Sequence, residues 1–226
     1  MKRIVVSIVL IMLAICTSAQ ELFVNADFVS RYIWRGIDSG NASVQPSFGL
    51  NWEGLTLYTW GSTEFREENN EIDLSLEYSY RNLTLYVNNY FTQTEEESFD
   101  YFNYNSHSTG HTFELGFGYY LNEVFPLAIN WYTMFAGNDY RENRKRAWSS
   151  YCELYYPFSV KKFDLAMETG MTFWEGMYAT KLGVVNIGLS VTKEIKVTSD
   201  FLFSILGKLV ANPCEKQLYF VFGVSL

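Results

Sequence analysis

Apolar and polar residues alternate with a period of two along most of the chain. The clearest runs are residues 72–81, 83–88, 112–119 and 162–173, where nearly every second side chain is aliphatic or aromatic. A period of two places the two kinds of residue on opposite faces of a β-strand, whereas a helix would scatter both around its circumference. The pattern therefore predicts strands with one apolar face and one polar face.

Twelve such segments are predicted, most of them near ten residues long, which suits a tilted strand that crosses a bilayer. They are residues 22–37, 42–52, 55–65, 71–81, 83–93, 111–121, 127–137, 147–157, 161–174, 182–192, 195–206 and 217–226. Twelve is an even number, as expected of a bacterial single-chain barrel.

The predicted connections alternate between short turns and long loops. The tight turns are Glu53-Gly54, Asn82 and Lys193-Glu194, and the long loops are residues 94–110, 138–146, 175–181 and 207–216. With the N-terminus on the periplasmic side, every long loop falls outside the cell, which is the asymmetry of an outer-membrane barrel.

These features predict an all-β fold, an up-and-down antiparallel transmembrane β-barrel of about twelve strands in the outer membrane of a Gram-negative bacterium. An aromatic content of 18% and only four prolines agree with many strands that carry interfacial rings. The alternative is a soluble β-sandwich, which is less consistent with twelve strands of nearly equal length.

The first residues predict export from the cytoplasm. Lys2 and Arg3 precede an apolar run over residues 4–15, and small residues lead to a cleavage site after Ala19. Residues 1–19 are therefore interpreted as a signal peptide and residues 20–226 as the outer-membrane barrel. Lipidation at Cys16 is an alternative that the bulky Ile15 argues against.

Removal of this segment would change the formal net charge from −8 to −10, because Lys2 and Arg3 leave with it. So acidic a chain lacks the basic patch that nucleic-acid binding needs, and no nucleic-acid partner is expected.

The last segment resembles the C-terminal targeting signal of outer-membrane proteins. Its apolar residues share one face, and the chain ends on a member of that set: Leu218, Phe220, Phe222, Val224 and Leu226. The resemblance implies the barrel-assembly machinery as a partner during insertion.

The stretch SRYIWRG at residues 30–36 has alternating aromatic and basic side chains. If strand one continues through it, Tyr32 and Trp34 point to the membrane–water interface, and Arg31 and Arg35 point to the lumen. The opposite orientation would cost about 2–4 kcal/mol for each charge facing lipid at mid-depth.

The same stretch resembles the opening of the TorF-type porin family. The matching residues are Ser30, Tyr32, Trp34, Arg35, Gly36 and Ser39, followed by Val44 and Gln45. In that family a Ser-x-Tyr-x-aromatic-Arg-Gly block precedes a Pro-x-x-Gln block, whereas here Ala42 stands at the proline position and Pro46 follows the glutamine. The resemblance covers about 25 residues. It implies an outer-membrane β-barrel porin and supplies no catalytic residues.

The inward face of the predicted barrel carries charges that would determine selectivity. These lumen residues are Arg31, Arg35, Asp73, Glu77, Arg81, Glu114 and Glu168. We expect the three arginines to face the four carboxylates across a narrow lumen, through which small hydrophilic solutes diffuse passively with a slight preference for cations. The alternative is that these charges pair with one another and close the lumen.

A basic cluster lies in one predicted outer loop and consists of Arg141, Arg144, Lys145 and Arg146. Arginine grips phosphate well, so the cluster is a candidate contact for lipopolysaccharide, beside the outer-membrane lipid that any such barrel touches. The alternative is a solvated loop, paired with the acidic residues 95–97 and 100 in the neighbouring long loop.

Two other classes of function stay open. A non-conducting structural or adhesion barrel would bind a partner through its loops. A lipid-modifying enzyme would need a nucleophile with an oriented base, for which His107 and His111 are the available histidines. Neither forms a recognisable catalytic or metal-binding pattern, so no cofactor, metal or catalytic residue is predicted. Cys152 and Cys214 are expected to be free, with a disulfide as the alternative.

Overall fold

The predicted strands close into a single antiparallel sheet. The structure, a computed structural model, describes residues 20–66, 69–93, 100–199 and 201–226. Its strands, in chain order, are β1 (Glu21–Val29), β2 (Tyr32–Trp34), β3 (Ile37–Gly40), β4 (Ser43–Trp52), β5 (Leu55–Glu64), β6 (Asn70–Tyr80), β7 (Leu83–Gln93), β8 (His111–Tyr120), β9 (Ala128–Gly137), β10 (Ser150–Val160), β11 (Phe163–Thr172), β12 (Gly183–Lys196), β13 (Leu202–Asn212) and β14 (Gln217–Ser225).

All of these strands except β2 and β3 form a closed twelve-stranded barrel in which chain neighbours are sheet neighbours. The barrel closes where β1 pairs with β14 through Asp27–Ser225, Phe28–Val224 and Val29–Gly223. On its other edge β1 pairs with β4 over its whole length. The β1–β14 pairing joins the first and last strands and so closes the sheet, which removes the free edges that an open sheet would have. The fold class predicted from the alternation is confirmed.

The outer face of the barrel is apolar. Exposed side chains recur at every second position along adjacent strands; they include Leu22, Val24, Phe48, Leu57, Ile72, Leu74, Leu76, Leu85, Val87, Leu115, Phe117, Ile187, Leu189, Leu209 and Phe220. The intervening positions point inward and are mostly polar, among them Asp73, Ser75, Asn88 and Glu114, which are all buried. An apolar belt around a polar interior is the reverse of a water-soluble domain and is typical of a barrel surrounded by lipid.

The first strand is shorter than predicted. It ends at Val29 rather than continuing to residue 37, and residues 30–42 instead contain the two-stranded β2–β3 sheet. The chain reverses at Arg35 and Gly36, which both have positive φ (49° and 83°). A left-handed pair of this kind cannot belong to a continuing strand. We call residues 30–42 the inner hairpin.

The predictions of connections near the C-terminus also need correction. The tight turn expected at Lys193-Glu194 is wrong, because both residues lie within β12, where they pair with Ile205 and Ser204 of β13. The chain turns instead between Lys196 and Leu202. As a result β13 extends to Asn212, and the loop predicted at residues 207–216 is reduced to residues 213–216. β10 is likewise shifted, from the predicted 147–157 to Ser150–Val160.

Some predictions fall outside the described residues. They are the signal peptide at residues 1–19 and the acidic residues 95–97 of the loop between β7 and β8. Within the part of the chain that the structure describes, no helix is long and apolar enough to cross a membrane.

Candidate functional site: the inner hairpin and the barrel lumen

The inner hairpin folds into the barrel at the end where the longer loops lie, which we call the hairpin end. Its tip is fixed by Gly36, whose carbonyl oxygen accepts a hydrogen bond from Asn212 Nδ2 at 3.1 Å. A Cβ at Gly36 would collide with the backbone carbonyl of Val185 on β12. Glycine is therefore required here both for its positive φ and for the close approach of the hairpin to the wall.

The hairpin presents Arg35 to a buried carboxylate on β8. Arg35 Nη1 and Nη2 donate to Glu114 Oε2 and Oε1 at 2.6 and 2.9 Å, and the two side chains are 10% and 0% exposed. Glu114 also accepts hydrogen bonds from Tyr90 at 2.7 Å and from Asn88 at 3.2 Å. A bidentate pair with additional donors is the arrangement that compensates best for removing two charges from water.

Aromatic rings surround the Arg35 guanidinium on its remaining sides. Its carbon lies 4.0 Å from the centre of the Tyr132 ring, 4.5 Å from Trp34 and 5.0 Å from Tyr151. Tyr178, from the loop between β11 and β12, accepts a further hydrogen bond from Nη1 at 2.6 Å. Burial raises the pKa of the Tyr178 phenol above its ordinary value, so the hydroxyl stays neutral. Together these groups hold the hairpin across the lumen.

Tyr32 and Trp34 were predicted to lie at the lipid interface, and the structure places both inside the barrel. The Tyr32 ring packs at 5.2 Å from Trp60, and the Trp34 ring lies 5.4 Å from Tyr90 and 5.8 Å from Tyr178. The prediction is wrong because the chain leaves the barrel wall at residue 30, so the phase of β1 no longer determines where these side chains point.

The predicted lumen charges are brought together only in part. Arg35 meets Glu114, but Arg31 pairs with Asp38 of the hairpin itself at 2.8 Å. Arg81 was predicted to line the lumen and does not: it is the exposed turn residue between β6 and β7 and lies over the Tyr80 ring.

The other predicted acids point inward without meeting an arginine. Glu77 accepts a hydrogen bond from Tyr58 at 2.9 Å, and Asp73 is buried on the inner face of β6. Glu168 Oε1 lies 2.8 Å from Lys208 Nζ and forms an ion pair with it. Lys208 lies within the segment predicted to be a loop, residues 207–216.

Cavities lie on both sides of the inner hairpin. Toward the hairpin end, one of about 510 Å³ is lined by Arg31, Asp38 and Tyr219, and another of about 260 Å³ by Glu71 and Thr112. On the opposite side, a cavity of about 300 Å³ extends along the inner wall. Its lining comprises Tyr32, Trp34, Arg35, Tyr58, Trp60, Asp73, Ser75, Glu77, Tyr86, Asn88, Tyr90 and Tyr132. The lumen is thus a polar and aromatic space that the hairpin divides.

The basic cluster lies in the loop between β9 and β10. Arg144 and Lys145 are exposed, whereas Arg146 contacts its own loop and Arg141 contacts both its own loop and the loop between β11 and β12. Arg146 donates to the Tyr140 hydroxyl at 3.0 Å and lies over its ring, and Arg141 lies 3.9 Å from Glu175. The cluster therefore has two structural members and two that face outward.

The histidines and cysteines are placed as isolated residues. His111 is buried, with its ring nitrogens bonded to Asn89 Oδ1 and the Tyr101 carbonyl, and His107 stacks on Tyr140. Among the described residues no group of three or more His, Cys, Asp or Glu side chains could hold a metal ion. Cys152 and Cys214 are free.

Comparison with known proteins gives a match in fold. No protein-family model and no curated protein sequence matches the chain. Among solved structures, a protein described as "KdgM porin" superposes with a TM-score of 0.51, covering 92% of this chain and 98% of that one at 9% sequence identity. The chain has the fold of a porin. At this identity the likeness concerns the barrel alone, and the resemblance of residues 30–46 to the TorF-type block stays a prediction.

Several residues of the site were not anticipated from the sequence. Tyr90, Tyr132, Tyr151 and Tyr178 complete the surroundings of Arg35 but come from three strands and a loop that are distant in sequence. One usable signal exists. Tyr132 and Tyr151 occupy inward positions in strands whose outward face is already apolar, and a large ring at such a position must fill the lumen.

Proposed function

We propose that the protein is a porin of the outer membrane that passes small hydrophilic solutes, with the inner hairpin as its constriction. The observation that carries the proposal is the polar lumen, which contains cavities on both sides of the hairpin. A barrel that served only as a scaffold would have no need for solvent-sized spaces lined by charges. The apolar outer belt and the porin fold support the location and the class.

The charges at and below the constriction would determine the ion selectivity of the proposed pore. Arg35 occupies the space between the cavities, and its charge is matched by Glu114. Asp73 and Glu77 line the cavity on the far side of the hairpin from the loops. Because the acids in this part of the lumen outnumber the unpaired bases, we expect a narrow pore that prefers cations.

Single-channel recording of the refolded protein in a planar bilayer tests the proposal. We expect small discrete conductance steps, and a reversal potential in a salt gradient that has the sign of cation selectivity. Arg35→Glu should change that potential because it reverses the charge at the constriction, whereas Glu53→Gln, in an exposed turn between β4 and β5, should leave it unchanged. A folded, heat-modifiable barrel that gives no steps would refute the porin proposal.

The second candidate is a non-conducting barrel whose loops bind a partner. One observation favours this candidate: Arg35, Gly36 and the Trp34 ring anchor the hairpin to several strands. A hairpin held by so many contacts would block the lumen permanently. In that case conductance would be absent in the wild-type protein and would appear when the anchors are removed.

We also propose that Arg144 and Lys145 contact lipopolysaccharide phosphates. Both side chains are exposed at the hairpin end, where the outer leaflet would lie in the proposed orientation. The neighbouring Arg146, bonded to Tyr140, holds the loop that presents them.

A further inference from the structure

Two carboxyl groups lie side by side on the inner face of β6, where the inner hairpin packs against the wall. Glu71 and Asp73 are two positions apart on one strand, so both point into the lumen. Their carboxyl groups are hydrogen-bonded to each other. Because two ionised carboxylates offer only acceptors, such a bond needs a proton on one of them. The pair therefore holds one proton and one negative charge, and the excess of acids in the lumen is retained.

The surroundings of Asp73 agree with a protonated carboxyl. The residue is 7% exposed, and no N–H or O–H group of the described residues donates to its Oδ1. A protonated oxygen needs no donor, because its own O–H donates to a neighbouring acceptor, and the Glu71 carboxylate is such an acceptor. The Asp73 carboxyl also accepts a hydrogen bond from the Phe91 N–H of β7. The buried group is thus satisfied without a cation.

The groups around the pair could not compensate for the loss of its proton. Within the described part of the chain, those that face it are acids, phenols and one guanidinium: Glu77 on β6, Tyr58 and Glu64 on β5, Tyr90 on β7, Glu114 on β8, and Tyr32 and Arg35 of the hairpin. The charge of Arg35 is already matched by both oxygens of Glu114. Deprotonation would therefore leave two adjacent anions without a cation to offset them, which is an unfavourable arrangement.

The inner hairpin is docked on this pair. The Tyr32 hydroxyl is hydrogen-bonded to the Glu71 carboxyl, and the Tyr32 ring lies 5.2 Å from the ring of Trp60, the cross-strand partner of Asp73. Because Asp73 Oδ1 is closed to solvent, a second negative charge at this oxygen can be hydrated only if the packing around it opens. The strands are held by their cross-strand hydrogen bonds, so the hairpin is the element that can move.

We infer that Glu71 and Asp73 form a proton-dependent latch for the inner hairpin, a regulation of the constriction that rests on the proposed function. While the shared proton is bound, the pair holds the Tyr32 hydroxyl and the hairpin stays docked. When the proton leaves to solvent at alkaline pH, the two carboxylates repel each other, water enters and the hairpin is released on this side. Docking is thus fully stabilised while the pair is protonated and weakens as the pH rises and the proton is lost.

Tryptic cleavage of the refolded barrel in detergent tests the latch, because Arg31 and Arg35 place two trypsin sites within the hairpin. Wild type and Asp73→Asn are compared at each pH from about pH 7 to about pH 10, which cancels the pH dependence of trypsin itself. The asparagine keeps an N–H donor for Glu71 at every pH, so the hairpin of this variant should stay docked. The wild-type hairpin should be cut at a similar rate at neutral pH, and roughly tenfold or more faster than that of the variant at alkaline pH.

Glu53→Gln, which removes a carboxylate from an exposed turn, is the matched control and should follow wild type at every pH. Glu71→Gln is the second test variant, since it also removes one carboxyl of the pair and should lose the same pH dependence. Either test variant suffices if the other does not fold. Folding is checked at each pH by heat-modifiable mobility on a gel.

Infrared spectroscopy detects the proton itself. At neutral pH the wild-type protein should show a carbonyl band of a protonated carboxyl that Asp73→Asn lacks. Equal pH dependence of cleavage in wild type and in the folded variants, or equal infrared spectra in this region, would overturn the inference.

Failure of the latch and failure of the porin proposal are distinguishable, because neither readout requires conduction. Hairpin cleavage that depends on the carboxyl pair, in a barrel without conductance steps, would support the latch while refuting the porin. Conductance steps from a barrel whose hairpin is cleaved independently of the pair would support the porin and overturn the latch.

Discussion

The pair between Arg35 and Glu114 is predicted to be the strongest single anchor of the inner hairpin. In Arg35→Met the aliphatic stem is retained, but the buried Glu114 carboxylate loses both guanidinium bonds, of 2.6 and 2.9 Å. Breaking a buried, hydrogen-bonded ion pair on one side costs about 3–5 kcal/mol. Tyr90 and Asn88 still donate to Glu114, which places the expected loss at the lower end of that range.

Urea unfolding of the refolded barrel, followed by tryptophan fluorescence, measures this loss. The contribution of the pair is measured with a double-mutant cycle, which needs Arg35→Met, Glu114→Gln and the double variant that combines them. We expect the double variant to be more stable than the sum of the single losses implies, with a coupling of about 2–3 kcal/mol, because it contains neither an unpaired cation nor an unpaired anion.

Arg31→Met is the matched control in the same hairpin. Its ion pair with Asp38 is 43% and 33% exposed, and solvent screening limits such a pair to about 1 kcal/mol or less. A loss below about 1 kcal/mol for Arg35→Met, or a coupling near zero, would refute the view that the guanidinium is held by a desolvated carboxylate.

Three further predictions concern the hairpin tip, the wall and the outer loop. Gly36→Ala should displace the hairpin, because the added Cβ would collide with the Val185 carbonyl. Protease cleavage within residues 30–42 should then become faster. Unchanged cleavage would contradict the contact between the hairpin tip and the barrel wall. Lys208→Met should destabilise the barrel in the same urea assay, because it leaves Glu168, which is only 12% exposed, without its cation. The loss should be limited to about 1–3 kcal/mol, because Asn186 still donates to Glu168. Lys216→Met, at an exposed position, is the control. Replacing Arg144 and Lys145 with glutamine should weaken binding to lipopolysaccharide micelles by about tenfold or more, and equal affinity of the double variant would remove the loop as a contact.

The alternation of residues along each strand was enough to predict the barrel. Ile72, Leu74 and Leu76 face outward and Asp73 and Glu77 inward because a strand places successive side chains on opposite faces, whatever surrounds it. The same reasoning failed at Lys193-Glu194. The pair resembles a turn, but β12 continues to Lys196, and Lys193 lies over the Phe163 ring. Charged residues are tolerated on the outer face once a strand has passed the apolar belt, so polarity alone did not show where β12 ends.

The period-two alternation was sufficient to predict which face of each strand is apolar, the approximate number of strands and the class of barrel, because these properties depend on local periodicity. The turn of residues 30–42 into the lumen, by contrast, depends on contacts that form only in the folded barrel. The alternation at Tyr32 and Trp34 is compatible with rings that face lipid and with rings that pack inside the barrel. The left-handed backbone at Arg35 and Gly36 reverses the chain and so places both rings inside. The partners of Arg35 on β8 and in the loop before β12 lie 79 and 143 residues away in sequence, so the closed barrel alone brings them to one guanidinium.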